Sequence, residues 1–153
     1  MDSGRALPPS LLGLDIYLLS RVGKLARGRF ADRLAERGLR LWHMAILAAL
    51  ADFGVHAQRD LAERLAIHPS DVAKVVDELA AAGQVERTRD EADRRRMTVR
   101  ITRTGRAALT ALGKEAGQVG DDILAPLNAQ ERAQLSELMR RVFDHAYPSA
   151  DPQ

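Results

Sequence analysis

Eight arginines crowd the 22 residues from Val85 to Arg106, where only four acidic side chains accompany them. They stand at positions 87, 89, 94, 95, 96, 100, 103 and 106. A guanidinium group binds phosphate oxygens through two parallel hydrogen bonds, so clustered arginines suit a polyphosphate backbone. Because the formal net charge of the whole chain is only +2, this local cluster, rather than the overall charge, indicates the partner.

Other kinds of chemistry find little support in the residue types. The chain has no cysteine, and its histidines at 43, 56, 68 and 145 match no zinc-binding spacing within one element. No nucleophile, metal cluster or phosphate-binding glycine loop can be assembled from these residues. We therefore expect neither an enzyme, nor a metal site, nor a cofactor.

The arginines lie on a predicted β-ribbon. Met97, Val99 and Ile101 alternate with polar residues, which is the period of two that marks a strand with one buried face. The segment Val85–Arg106 therefore reads as a two-stranded hairpin with arginines at its tip and flanks.

Two short helices are predicted directly before the ribbon. The first covers 58–66, and the second begins at Pro69, a residue that suits the first position of a helix. A tight turn between two such helices is the helix-turn-helix pattern, and the ribbon after it completes a winged helix. Ser70, Asp71 and Lys74 lie on the end of the second helix that meets base edges. Asp71 either reads a cytosine amine or caps its own helix.

Longer helices flank this unit. A wide apolar stripe predicts a first helix that ends near Gly38, and it packs either within the chain or against a second subunit. Thr102 is a candidate N-cap for a helix to about Leu124, in which three glycines predict bending or close helix contact. Asn128 and Glu131 form a capping-box pattern before the last helix.

The chain contains no apolar run near the ~20 residues needed to cross a bilayer. Its first ten residues also lack the pattern of a secretion signal. We expect a cytoplasmic protein with no membrane partner.

The order of these elements resembles the MarR family of winged-helix regulators. The wing is the most specific part: Asp90, two variable positions, then Asp93-Arg94-Arg95, with the step Ile101-Thr102-Arg103-Thr104-Gly105 after the strand. The stretches 60–65 and 69–79 are also similar to the family's third and fourth helices. The resemblance covers roughly 11–143.

The resemblance implies a homodimer whose terminal helices intertwine and whose winged lobes bind double-stranded DNA at a pseudo-palindrome. It implies that Arg94, or Arg95 beside it, enters the minor groove, and that Asp93 orients it through a salt bridge. The predicted DNA-binding residues are Gln58, Ser70, Asp71, Lys74, Arg87, Asp93, Arg94 and Arg95.

The resemblance also implies a site for a small aromatic or phenolic effector between the lobe and the dimer helices. Its candidate residues are Tyr17, Arg21, Trp42 and His43. The alternative is that Trp42 belongs to the core and Arg21 to the surface.

The predicted fold is mainly α with a small β-wing, in a single domain over 1–153. Its winged helix-turn-helix lobe spans 41–102, the dimerisation helices 10–38 and 103–146, and a frayed tail 147–153. The predicted function is that of a dimeric, sequence-specific regulator of transcription, a ligand-responsive repressor. A non-specific architectural DNA-binding protein and a helical protein-interaction module remain the alternatives.

Overall fold

The computed structural model describes residues 7–148. This part of the chain is mainly helical with one small antiparallel sheet, as predicted. Its elements run in the order α1 (Pro9–Leu12), α2 (Asp15–Ala35), α3 (Leu41–Phe53), β1 (His56–Ala57), α4 (Gln58–Leu65), α5 (Pro69–Ala81), β2 (Val85–Arg89), β3 (Met97–Ile101), α6 (Arg103–Ile123) and α7 (Ala129–Ala146).

The first predicted helix is divided in two, which corrects the expectation of one continuous helix to Gly38. Gly13 closes α1, and α2 begins two residues later at Asp15. Glycine disfavours helix continuation, and an acid in the first turn stabilises the positive end of the new helix. Helix α2 ends at Ala35, and Gly38, with φ of 68°, turns the chain towards α3.

The sheet has three strands rather than the predicted two. β3 lies in the middle, with β2 on one side and the two-residue β1 on the other. Val99 and Ile101 of β3 are buried as predicted, whereas Met97 is 38% exposed, so its predicted burial is wrong. Met97 is the first residue of β3 and lies next to the wing tip.

The hydrophobic core is aliphatic and lies where α3, α4, α5 and the sheet meet. Helices α2 and α6 close it, each through few residues. Its fully buried members include Leu34, Ile46, Leu47, Leu61, Val72, Val75, Val76 and Val99. Val72, Val75 and Val76 place one face of α5 in this core.

Side-chain caps begin the last two helices as predicted. The Thr102 hydroxyl accepts the Gly105 N–H at 3.1 Å, and Asn128 and Glu131 exchange two bonds of 2.9 Å. Gly105 is required here, because a Cβ would lie 2.0 Å from the Gln84 carbonyl oxygen. Helix α6 then continues without interruption past Gly113, Gly117 and Gly120.

The terminal helices leave apolar side chains without a partner within the described residues. Only Leu34 is buried in α2, and no residue of α7 is buried. The exposed set comprises Leu12, Leu14, Ile16, Leu18, Leu19, Val22, Leu25, Leu138, Met139, Val142, Phe143 and Tyr147. Close contact at Gly113, Gly117 and Gly120 is likewise absent from residues 7–148, since an added Cβ there would meet nothing within 4 Å.

Two expectations reach the ends of the chain. Most of the predicted frayed tail, residues 149–153, lies outside the described residues. The division into a lobe and dimerisation helices stays a prediction. Between residues 7 and 148, no helix is both long and apolar enough to cross a membrane.

Candidate nucleic-acid interface

Helix α5 presents a polar N-terminal end. Pro69 occupies the first helical turn, and the His68 ring, at Nδ1, accepts the Ser70 N–H at 3.2 Å. His68 is therefore the cap, which corrects the alternative that Asp71 caps this helix. Ser70 and Lys74 are exposed, and Asp71 is half-buried in the first turn.

The turn between α4 and α5 depends on one backbone conformation. Ala66 ends α4 with φ of 52°, in the left-handed region, and the Ile67 N–H returns to the Ala62 carbonyl at 3.0 Å. A non-glycine residue in this region is uncommon and is held by its surroundings. Here the burial of Ile67 anchors the turn, so α5 leaves it in one direction.

Two aspartates organise the wing tip. Asp90 Oδ1 accepts the Ala92 N–H at 2.9 Å, and Asp93 Oδ1 accepts the Arg95 N–H at 3.0 Å. Such side-chain turns explain why acids stand at both positions of an otherwise basic loop. The expected salt bridge of Asp93 to Arg94 or Arg95 is absent from residues 7–148, because the carboxylate is bonded to the backbone of the turn.

In the part of the chain that the structure describes, some arginines of the wing are bonded to other parts of the protein, and others are not. Arg96 pairs with Asp60 of α4 at 2.8 Å, and Arg100 pairs with Glu86 across the hairpin at 2.5 Å. Arg94 and Arg95 are exposed, and within the described residues their guanidinium groups make no hydrogen bond or ion pair. The tip therefore carries two cations that are available to a phosphate.

Arg87 faces the helices instead. Its Nε donates to Gln58 Oε1 at 2.9 Å, its Nη2 donates to the Ala73 carbonyl at 3.4 Å, and its Nη1 pairs with Asp77 at 2.5 Å. This one side chain therefore joins β2 to both α4 and α5. Gln58 and Arg87, both predicted to bind DNA, are brought together by the fold.

A second link joins α3 to α5 through His43, which is 1% exposed. Its Nδ1 accepts the Arg40 N–H at 3.0 Å, so Nε2 carries the proton that it donates to Glu78 at 2.6 Å. This hydrogen bond lowers the pKa of the Glu78 carboxyl most; partial desolvation opposes it, and attraction to His43, Arg40 and Lys74 lowers the pKa further.

The four predicted effector residues line neither the groove between α4 and the wing nor the one beside Gln58 and Arg95. Tyr17 is half-buried and Arg21 exposed on α2, whereas Trp42 packs half-buried against the core. Both ring nitrogens of His43 are already bonded. A groove of about 1210 Å³ lies elsewhere, between α4 and the wing, and none of the four lines it.

The remaining histidines of the lobe also serve local structure. His56 bonds the Gly54 carbonyl at 2.8 Å and accepts from Arg64 at 3.1 Å, while His68 caps α5. Residues 7–148 bring no three histidine or acidic side chains together in a metal-binding group.

Comparisons with known proteins agree with this geometry. A sequence model of the MarR family matches residues 31–96, from the end of α2 to the wing tip. The HTH-type transcriptional repressor NicR of Pseudomonas putida is 28% identical over 84% of this chain and 81% of its own length.

Two solved structures share both fold and sequence. The PcaV transcriptional regulator of Streptomyces coelicolor is 30% identical, with a TM-score of 0.65, over 87% of this chain and 97% of its own. BpsR of Bordetella bronchiseptica, whose DNA binding is regulated by 6-hydroxynicotinic acid, is 28% identical, with a TM-score of 0.65, over 84% and 97%. By its matched sequence, its helix order and its wing, the chain belongs to the MarR family of transcriptional regulators.

Proposed function

We propose that this protein is a dimeric, sequence-specific repressor of transcription whose grip on its operator responds to a small ligand. One observation carries the proposal: Arg94 and Arg95 stand free at the tip of a wing whose base is bonded to helix α5. Free cations beside a reading helix are the two parts that operator binding needs. The relatives named above are bacterial proteins, and bacterial DNA lies in the cytoplasm, where we place this regulator.

Helix α5 is the reading helix in this proposal. Its buried face of Val72, Val75 and Val76 holds it against the core, so its N-terminal turns face outward. Ser70, Asp71 and Lys74 then meet base edges in the major groove. An aspartate accepts from a cytosine amine but repels phosphate, so Asp71 favours a site with cytosine in reach.

The wing supplies affinity and an anchor. Arg94 or Arg95 enters the adjacent minor groove, where a narrow groove concentrates negative potential. Asp93 contributes by holding the turn that presents both arginines. Gln58 at the start of α4 approaches the sugar-phosphate backbone, as the first helix of such a unit does.

Dimerisation follows from the uncovered apolar faces of α1, α2 and α7. Leaving Ile16, Val142 and Phe143 more than half exposed to water is unfavourable, and a second copy can cover them around a two-fold axis. Two lobes related by that axis bind half-sites about one helical turn apart, which makes the operator a pseudo-palindrome.

For the ligand response we propose a site between the lobe and the dimer helices, at Tyr17, Arg21 and Trp42, with His43 behind them. The regulation of BpsR by 6-hydroxynicotinic acid supports a small aromatic acid or phenol as its class. Such a ligand releases the operator only if it binds more tightly to a lobe spacing that does not fit DNA.

Selection of bound fragments from random and genomic DNA tests the proposal directly. We expect recovered fragments to share one pseudo-palindrome, and the protein to bind it at least about 1,000-fold more tightly than unrelated DNA. Equal competition by unrelated DNA would instead identify a non-specific architectural protein, and no retention at low salt would identify a protein-interaction module.

A further inference from the structure

Arg87 differs from every other arginine of the wing in what it touches. Its three bonded nitrogens reach a side chain of α4, a carbonyl of α5 and the Asp77 carboxylate of α5. Its side chain is 29% exposed, against 49% for Arg96 and 60% for Arg100. Arg87 is therefore the least exposed of the three ion-paired arginines of the wing.

These bonds leave Arg87 poorly placed to bind phosphate. A guanidinium has five N–H donors in a fixed plane. All three nitrogens of Arg87 already donate to acceptors within the protein. Turning it towards DNA would break a link to each helix and leave Asp77 unpaired beside the polyanion. Arg94 and Arg95 meet no such obstacle.

The same contact decides what Gln58 can do. Because a guanidinium only donates, the atom of Gln58 that faces Arg87 must be the amide oxygen. The remaining NH₂ group can only donate. The pairing of glutamine with adenine uses the oxygen as well. Arg87 already occupies one of its two lone pairs, so the geometry favours a Gln58 that donates from its NH₂ group to a phosphate oxygen.

We propose that Arg87 is a positioning residue: it fixes the wing against α4 and α5 and presents Gln58 as a donor to the DNA backbone. The inference rests on the proposed DNA-binding function and sharpens it. Because Arg87 fixes the wing to α5, the distance between the wing tip and the N-terminal end of α5 stays constant. Only a duplex whose grooves match this distance can bind the tip and α5 at the same time.

The test compares four variants on the selected operator and on unrelated DNA, over a range of salt. Arg87→Gln removes the charge and two of the three links, and Arg87→Lys keeps the charge but cannot span three acceptors. Asp77→Asn breaks the ion pair from the other side. Arg100→Gln is the matched control, because it removes an arginine of the same hairpin whose ion pair touches neither helix.

We expect Arg87→Gln, Arg87→Lys and Asp77→Asn each to lower the ratio of operator affinity to unrelated-DNA affinity about tenfold, as for residues coupled in one network. Arg100→Gln keeps the wild-type ratio. In Arg87→Gln the slope of log K against log salt stays close to that of the wild type. Thermal melting followed by circular dichroism confirms that each variant is folded.

Opposite results would overturn the inference. A phosphate-binding Arg87 predicts that Arg87→Gln flattens the salt slope by about 0.9, that Arg87→Lys restores binding, and that Asp77→Asn strengthens it. The proposed function fails separately: in that case the wild-type protein itself would show no preference for any selected sequence.

Discussion

The winged lobe buries its large aliphatic side chains, whereas the terminal helices leave most of theirs exposed. In the lobe, Leu61, Val75 and Val99 are fully buried, whereas Ile16 of α2 and Val142 of α7 are 71% and 61% exposed. The lobe therefore completes its core within one chain, and the terminal helices do not. In the proposed dimer, one chain thus carries a complete DNA-binding lobe attached to half of the interface.

The electrostatic contacts differ in the same way. The ion pairs of Arg87 and Arg96 bind the wing to α5 and α4, so the lobe is rigid where it must match a duplex. Between α2 and α6, Glu115 pairs with both Arg33 and Arg37, and it fixes only the end of α2 nearest the lobe. In the proposed dimer, a second copy covers the rest of the terminal helices.

The largest expected effect comes from placing a charge on the uncovered face. Val142→Asp puts an unpaired carboxylate into the proposed interface twice, because of the two-fold axis, and burying such a charge is costly. We expect sedimentation to give a monomer, and operator affinity to fall at least about 100-fold as the two half-sites lose their linkage.

Ala133→Asp is the control for this change. It lies nine residues earlier, two and a half helical turns, and so on the opposite face of α7. It should remain dimeric. If Val142→Asp also remains dimeric, the exposed apolar side chains of α7 do not form the dimer interface.

The next largest effect is expected from truncating a side chain in the core of the lobe. Leu61→Ala removes a fully buried side chain, which costs about 2–5 kcal/mol of unfolding free energy. Arg59→Ala, exposed on the same helix, should change it by less than about 0.5 kcal/mol. Urea unfolding measures both, and equal losses would contradict a fold stabilised by the buried core around Leu61.

Loss of one free wing cation should have a moderate effect that is confined to DNA. Arg94→Ala leaves stability unchanged, because the guanidinium makes no contact within the described residues. Operator affinity should weaken about tenfold, and the slope of log K against log salt should fall by about 0.9 for a lost phosphate contact. Unchanged affinity and slope in fluorescence anisotropy would remove the wing tip from the mechanism.

The smallest effect concerns the link between α3 and α5. Because His43 lowers the pKa of Glu78 below its ordinary value of 4.5, the ionised carboxylate stabilises the fold above that pH and loses this contribution as pH falls below it. Glu78→Gln should therefore be less stable than wild type at neutral pH, with the difference shrinking below about pH 4.5. A difference that grows on acidification would contradict the assignment.

Much of this architecture follows from local patterns. Pro69, Thr102 and the Asn128–Glu131 pair mark helix starts that depend only on neighbouring residues, and the alternation along β3 depends only on period. β1 is two residues long, too short for any period. The break at Gly13 escaped prediction because the spacing of apolar residues continues across it, from Leu11 to Leu14 and Leu18. The spacing of apolar residues therefore predicts neither β1 nor the division of the first helix.

In the candidate site, too, local features could be predicted from the sequence and long-range contacts could not. The arginine cluster of the wing tip was visible as composition, but the partners of each arginine were not. Arg87 meets Gln58, 29 residues earlier in the chain, and His43 meets Glu78, 35 residues later. Contacts at that distance are set by the tertiary fold, so the sequence identified the cations without separating those that bind DNA from those that hold the lobe together.

Hydroxyl-radical cleavage of the selected operator tests the central claim most directly. With wild-type protein we predict two protected half-sites about one helical turn apart, each flanked by protection in the adjacent minor groove. Arg94→Ala should lose the flanking protection and keep the half-sites. A single protected site, or flanks that are unchanged in the variant, would contradict a two-fold symmetric dimer that inserts its arginine wings beside a reading helix.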